Sequence, residues 1–277
     1  SESVELTGVT PGVFTPSQVT AGTGGPGDAG NVTVNTQRLV VRDGGRVDAS
    51  TTATGDAGSV TINAKDSVEV SGTVPGSRNP SLVISSANIL DPTLQQLLRL
   101  PPVPSGNSGD VTINTGQLSI TDGAQVTARN DGFGNAGNVR ISARSIFLDN
   151  EGSITAELGG TIPDIFLNQG GNIFLNADSL QMRHSSQISA TAGGTSNGGN
   201  ITITGFSPAD FVVLLEGSKI SANAFEGRGG NIQIDTRGLF VCPDCEISAS
   251  SKLGVGGVVK LNTLEPDTNL EIVDLPQ

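Results

Sequence analysis

The sequence predicts an all-β chain, a right-handed parallel β-helix of about eight to nine coils, each built of three short strands, with one short helical insertion. Three observations carry this reading. A glycine-initiated strand phrase recurs at Gly30, Gly58, Gly109, Gly137, Gly171, Gly199, Gly230 and Gly257, at intervals of 27 to 51 residues. The phrases read Gly-Asn-Val-Thr-Val-Asn from Gly30 and Gly-Asp-Val-Thr-Ile-Asn from Gly109, so apolar and polar residues alternate at the period of a half-buried strand. With 38 glycines, 9 Phe, and neither Trp nor Tyr in 277 residues, the chain suits many tight turns around an aliphatic interior.

The Gly109 coil shows each element in order. Val111 and Ile113 alternate with Asp110 and Thr112 in strand one. After Asn114-Thr115-Gly116, Leu118 and Ile120 alternate again in strand two, and Asp122-Gly123 supplies a tight turn because glycine tolerates positive φ. Val126 and Ala128 flank Thr127 in strand three, and Arg129-Asn130-Asp131-Gly132 leads out. The same spacing recurs. Val41 precedes Val47, Ile120 precedes Val126, Leu148 precedes Ile154, Met182 precedes Ile188, Leu214 precedes Ile220, and Val241 precedes Ile247, each by six residues. Two residues further stands Ala49, Ala128, Ala156, Ala190, Ala222 or Ala249, which implies a narrow interior corner.

Stacking these coils predicts columns. Val32, Val60, Val111, Val139, Ile173, Ile201, Ile232 and Val259 form one inward ladder. Asn35, Asn63, Asn114, Asn176 and Asn262 recur at the first corner, and Asn31, Asn138, Asn172, Asn200 and Asn231 at the start of strand one. Amides in such columns bond from coil to coil and satisfy backbone groups at the bends. A ligand track is the alternative reading. At ~4.8 Å per coil the rod is roughly 40 Å long.

The expected organisation is a partial first coil with its leading loop over 1–29, the β-helix over 30–265, and a C-terminal strand and tail over 266–277. Ser3-Val4-Glu5-Leu6-Thr7-Gly8 matches Ser67 to Gly72, the second strand of the Gly58 coil. Asn269-Leu270-Glu271-Ile272-Val273 reads as a further second strand. An insertion at about 88–108 carries a short helix, because Asp91-Pro92 supplies an N-cap acceptor with proline at N1. Leu94, Leu97 and Leu98 share one face of it, suited to packing on the solenoid flank or to forming a partner-binding lid.

A net charge of −12 with no basic stripe argues against nucleic acid and anionic membrane as partners. No apolar run is long enough to span a membrane. The outward positions of strand one are Thr33, Thr61, Thr112, Arg140, Phe174, Thr202, Gln233 and Lys260, and those of strand three are mostly hydroxyls. Neither set places carboxylates on neighbouring coils, so no catalytic residue is assigned. The single histidine, His184, lies in a turn where no orienting acid is evident. One histidine and two cysteines on separate coils are too few for a zinc site, and neither a metal nor a cofactor is expected. The acidic loops at Asp28 and Asp56 lack the nonapeptide spacing of calcium-binding β-rolls, leaving adventitious calcium as their alternative. Cys242-Pro243-Asp244-Cys245 aligns with the turn at Thr121 to Ala124, and a disulfide between Cys242 and Cys245 that clamps a late coil is preferred over a free dithiol. Phe147, Val213 and Phe240 on strand two, with Phe174 on strand one, form a candidate outward contact stripe.

The Gly-Asp-Val-Thr-Ile-Asn and Asp-Gly-Ala-Gln-Val-Thr-Ala phrases between Gly109 and Ala128 resemble the repeats of filamentous-haemagglutinin-like exoproteins of two-partner secretion, especially the long cyanobacterial ones. The stretches Glu246 to Ser251 and Gly257 to Thr263, with the closing Val273-Asp274-Leu275-Pro276, are similar to the downstream end of that family's helix. The resemblance covers nearly the whole chain. It implies export through an outer-membrane partner, an extracellular or cell-surface location, and a role in adhesion or surface structure. The expected function is therefore an extracellular structural or adhesive module without enzymatic activity. Its expected partners are further copies of itself, end to end or laterally, further coils of a longer parent, and surface glycans. A carbohydrate-active β-helix enzyme is the alternative, with Asp149 to Glu157 and Asp164 as loops that could converge.

Overall fold

The computed structural model describes residues 2–10, 15–159, 168–205 and 209–263. It is a parallel β-solenoid of about eight turns. One sheet stacks the long strands Ser3–Thr7, Val32–Arg42, Val60–Ser71, Val111–Thr121, Val139–Asp149 and Ile173–Met182. It continues through Ile201–Thr204 and Ala209–Leu214, which share one turn, then Ile232–Val241 and Val259–Thr263. The second sheet stacks eight three-residue strands, from Gln18–Thr20 through Gln125–Thr127 to Glu246–Ser248. A column of single bridges links Thr23, Thr51, Ala87, Asn130, Leu158, Ala192, Ala224 and Ser251 on the remaining side.

The expected three short strands per coil therefore become one long strand, one short strand and a bridge. Strands one and two fuse because the intervening residues keep parallel pairing through the bend: Ala143 pairs with Ala177, and Ser145 with Ser179. In the Val60–Ser71 strand one extra residue breaks the register between Ala64 and Ser67 and leaves Lys65-Asp66 as a bulge.

The predicted columns are otherwise in place. Val32 pairs with Val60, then Val111, Val139, Ile173, Ile201, Ile232 and Val259 in turn. All are buried except the terminal Val259. Ser3 and Ser67 both pair with Arg38, as the match between their segments requires. The predicted tail over 266–277 and its strand at Asn269 to Val273 lie outside the described residues.

The motif glycine has a steric cause. A Cβ on Gly137, Gly171, Gly199 or Gly230 would stand 1.7–1.9 Å from the carbonyl oxygen of the motif glycine one coil before. No side chain survives such an overlap without separating the coils. The same residue closes its own coil, its N–H donating to the carbonyl of Ala128, Ala156, Ala190 or Ala222 at 2.7–2.9 Å. The alanine column is buried and lies against this glycine column: a Cβ on Gly171 would reach Ala156 Cβ at 3.1 Å. In the Gly58 coil the alanine position holds Ser85. Its hydroxyl donates to Gly58 O at 2.5 Å and accepts from Gly109 N at 3.1 Å, so it replaces the lost backbone contact.

The single insertion proves to be two. Thr73 and Pro80 form a small hairpin between the long and short strands of the Gly58 coil, with Val74 buried over the turn at Gly44. The second part, after Ala87, carries the helix Pro92–Leu98, capped by Asp91 Oδ1 accepting from Thr93 N at 2.9 Å. Its leucines do not cover the flank. Leu94, Leu97 and Leu98 are 45%, 75% and 57% exposed, and the helix buries no residue. Each coil already turns its apolar side chains inward, so the flank offers backbone and hydroxyls rather than an apolar groove.

Val139 and Ile173 are fully buried neighbours in one column. Either one changed to Asp should cost more than about 3 kcal/mol, since no partner exists there for the charge. Thermal melts should show both variants strongly destabilised; wild-type-like melting would refute the register.

Candidate functional site

Because the interior is closed, any site must lie on the outer walls or in the turns. The column Phe147, Gln181, Val213 and Phe240 runs outward along the long sheet, each residue paired with the next. Gln181 interrupts it, and Phe147 and Val213 are half-buried while Phe240 is 55% exposed. Phe174 does not join this stripe. It pairs with Arg140, seven residues before the Gln181 position on the same strand, or about 23 Å along a straight strand. The Arg140 guanidinium instead lies 5.2 Å from its ring centroid and also bonds Asp110. Phe211, 55% exposed, was missing from the expected stripe, although period-two alternation with Val213 puts it on the same outward face.

The turns between long and short strands align in register. Asp43-Gly44, Asp122-Gly123, Asn150-Glu151, His184-Ser185 and Glu216-Gly217 all hold positive φ at both positions. In the next coil Pro243-Asp244 takes the same place. Proline cannot adopt positive φ, so this turn has another form. It keeps the closing bond from Cys245 N to Cys242 O at 3.0 Å, and a Cys242–Cys245 disulfide staples it.

This row gives His184 the orienting acid that was not evident from its own turn. Its Nδ1 lies 2.6 Å from Asp149 Oδ1 on one neighbouring coil, and its Nε2 lies 3.1 Å from Glu216 Oε2 on the other. Arg183 adds a contact to Glu216 at 3.5 Å. Burial raises the pKa of Asp149, but bonds from His184 and the Asn150 N–H, together with the charge of Arg183, outweigh it and hold the carboxyl below its ordinary value.

Beside this row, above the short-strand sheet, is a polar groove of ≈ 690 Å³. Arg129, Glu151, Glu157 and Gln187 line it, and Ser77-Arg78 of the small hairpin form one wall. The loop from Asp149 to Glu157 thus does bring two carboxylates to one groove, whereas Asp164 lies outside the described residues. Glu157 accepts from the Ser189 hydroxyl, and Arg129 is paired with Asp131, so both side chains are engaged locally.

The asparagine columns are largely structural. Asn138, Asn172, Asn200 and Asn231 each donate to the Oδ1 of the residue one coil before, while that same Oδ1 accepts their backbone N–H at 2.8–3.0 Å. A second such column was missed. Asp28, Asp56, Asn107 and Asn135 accept the N–H of Asp56, Asn107, Asn135 and Gln169, respectively. Its signal was an Asp or Asn two residues before the motif glycine. At the first corner Asn35, Asn63 and Asn114 bond in series, but Ser142 and Thr204 flank Asn176, whose Oδ1 has no hydrogen-bond partner among the described residues. Asn262 bonds Asp235 instead.

Among the described residues no helix is long and apolar enough to cross a membrane. No family model, curated protein or solved structure matches the chain.

The depressed pKa of Asp149 fixes the sign of a pH effect. Its ionised form stabilises the fold above the unfolded-state pKa, and the contribution disappears as pH falls through the lower folded value. Asp149→Asn should therefore lower stability by at most about 1 kcal/mol near neutrality, given the exposure of its partner. Once the pH is below that lowered folded value, the two proteins should melt alike. Melts across this range check both the sign and the size.

Proposed function

We propose that this chain is an extracellular structural and adhesive module that contacts its partners through the outer walls of the solenoid. The observation that carries the reading is the outward apolar patch of Phe211, Val213 and Phe240, standing on a rigid stack of coils. Grouped exposed aromatics on a fixed scaffold are the usual mark of a contact surface. The repeat phrases and their resemblance to filamentous-haemagglutinin-like exoproteins support the same reading, including a surface location and export by two-partner secretion. Partners are other copies of the chain, further coils of a longer parent, or surface glycans. Parallel stacking exposes unpaired strand edges at the end of any array, and such edges pair readily.

The arrangement of Asp149, His184 and Glu216 beside a groove lined by Glu151 and Glu157 favours a second reading, a carbohydrate-active enzyme. Against it, His184 is held between two carboxylates and no nucleophile contacts it among the described residues. One experiment separates the two. Protein-coated beads should adhere to cells or to protein-coated surfaces, and Phe211→Asp with Phe240→Asp should cut retention several-fold without altering the melt. Incubation with a polysaccharide panel should release no reducing ends. Robust turnover, or retention unchanged by the substitutions, would overturn the proposal.

A further inference from the structure

The bend that joins the two halves of each long strand carries a hollow of ≈ 710 Å³ outside the Gly30 to Gly137 coils. Asn35, Asn63 and Asn114 form its floor, bonded in series by Nδ2 to Oδ1 contacts of 2.8 and 2.9 Å. A carboxamide has two N–H donors and two acceptor lone pairs. Each amide in the series spends only part of that capacity on its neighbours, and the remainder faces solvent at one amide per coil.

Cations stand along one side of this floor. The bulge at Lys65-Asp66 carries Lys65, two residues after Asn63. Arg144 lies two coils further in the same column, and between them the chain has Gly116. A Cβ on Gly116 would stand 3.2 Å from Arg144 Nη2 and 2.6 Å from Asp66 O, so the absent side chain is what leaves the hollow open. Neither Lys65 nor Arg144 makes an ion pair with a described residue, although Asp178 occupies the next coil beside Arg144. Asp66 lines a separate hollow with Glu2 and Arg38. Two cations without an ion-pair partner among the described residues thus stand beside an amide ladder on a chain of net charge −12.

We infer that this hollow binds an acidic polysaccharide whose sugars carry carboxylates, lying along the solenoid axis. Arg144 takes a carboxylate bidentately, Lys65 a second as a point charge, and the free amide positions meet sugar hydroxyls. The spacing fits. Lys65 and Arg144 are two coils apart, about 10 Å at ~4.8 Å per coil, comparable to one disaccharide of an extended chain. The inference rests on the adhesive reading and adds a second outer surface, with the glycan chemistry it takes.

Calorimetry of the purified chain with polygalacturonate, a sulfated glycan and neutral dextran tests it. Polygalacturonate should bind, more weakly as salt is raised, and dextran should not. Lys65→Gln with Arg144→Gln should weaken binding at least about tenfold, while Lys252→Gln, remote in the last coils, should leave it unchanged. Asn63→Ala should weaken binding without removing its salt dependence. A sulfated glycan bound as tightly as the polyuronate would overturn the carboxylate assignment. Equal binding by the double variant, or by dextran, would overturn the site. Failure here leaves adhesion through Phe211 and Phe240 intact, and loss of adhesion in those variants leaves this binding intact, so the two proposals fail separately.

Discussion

The close approach of one backbone to the next at the motif glycine is the constraint on which the remaining structure depends. From Gly58 to Gly257 each motif glycine sits on the carbonyl of its predecessor, with less than the room a Cβ needs. This contact fixes the axial position of every coil at the same corner. The glycine N–H then ties that corner back to the alanine carbonyl of the preceding short strand, which makes each coil a closed ring. Once ring and stack are fixed at one point, parallel pairing extends along the long strand in one direction and the short strand in the other.

Side-chain ladders complete what the sheets leave open. A backbone N–H at a corner cannot always reach a carbonyl on the adjacent coil, and a buried or half-buried donor without a partner is costly. The columns through Asp28 and Asn138 supply side-chain oxygens in register and hand the bond from coil to coil. The Ser85 hydroxyl does the same work where the alanine corner is lost to the insertions. With the corners satisfied in this way, the outward faces are free to vary. That freedom allows an amide floor beside Lys65 and Arg144 in the early coils and a phenylalanine patch in the later ones.

Much of this was legible because one-coil periodicity turns sequence position into spatial column. The pairing of Val139 with Ile173, and of both Ser3 and Ser67 with Arg38, follows from aligning phrases alone. What was not legible depends on direction rather than position. Helical spacing places Leu94, Leu97 and Leu98 on one face but does not say which way that face turns, and here it turns to solvent. The fusion of strands one and two reflects pairing that persists through a bend, which the polar residues at Asn114 to Gly116 read as a loop. The acid beside His184 comes from Asp149, 35 residues upstream, and is visible only when turns of unequal coils are superposed. Outward alternation alone groups Phe174 with Phe147, although they stand at opposite ends of adjacent strands.

A comparison of glycine substitutions tests the central claim most directly. Gly25 and Gly27 have open space where a Cβ would be and no positive φ, whereas Gly137 and Gly199 have a carbonyl oxygen at 1.9 Å. Denaturant unfolding of the four single Gly→Ala variants should show the first pair within about 0.5 kcal/mol of the parent. The second pair should lose more than about 2 kcal/mol, the cost of forcing two backbones apart. Equal tolerance at all four positions would contradict the account, because the coils would then not be held by that contact.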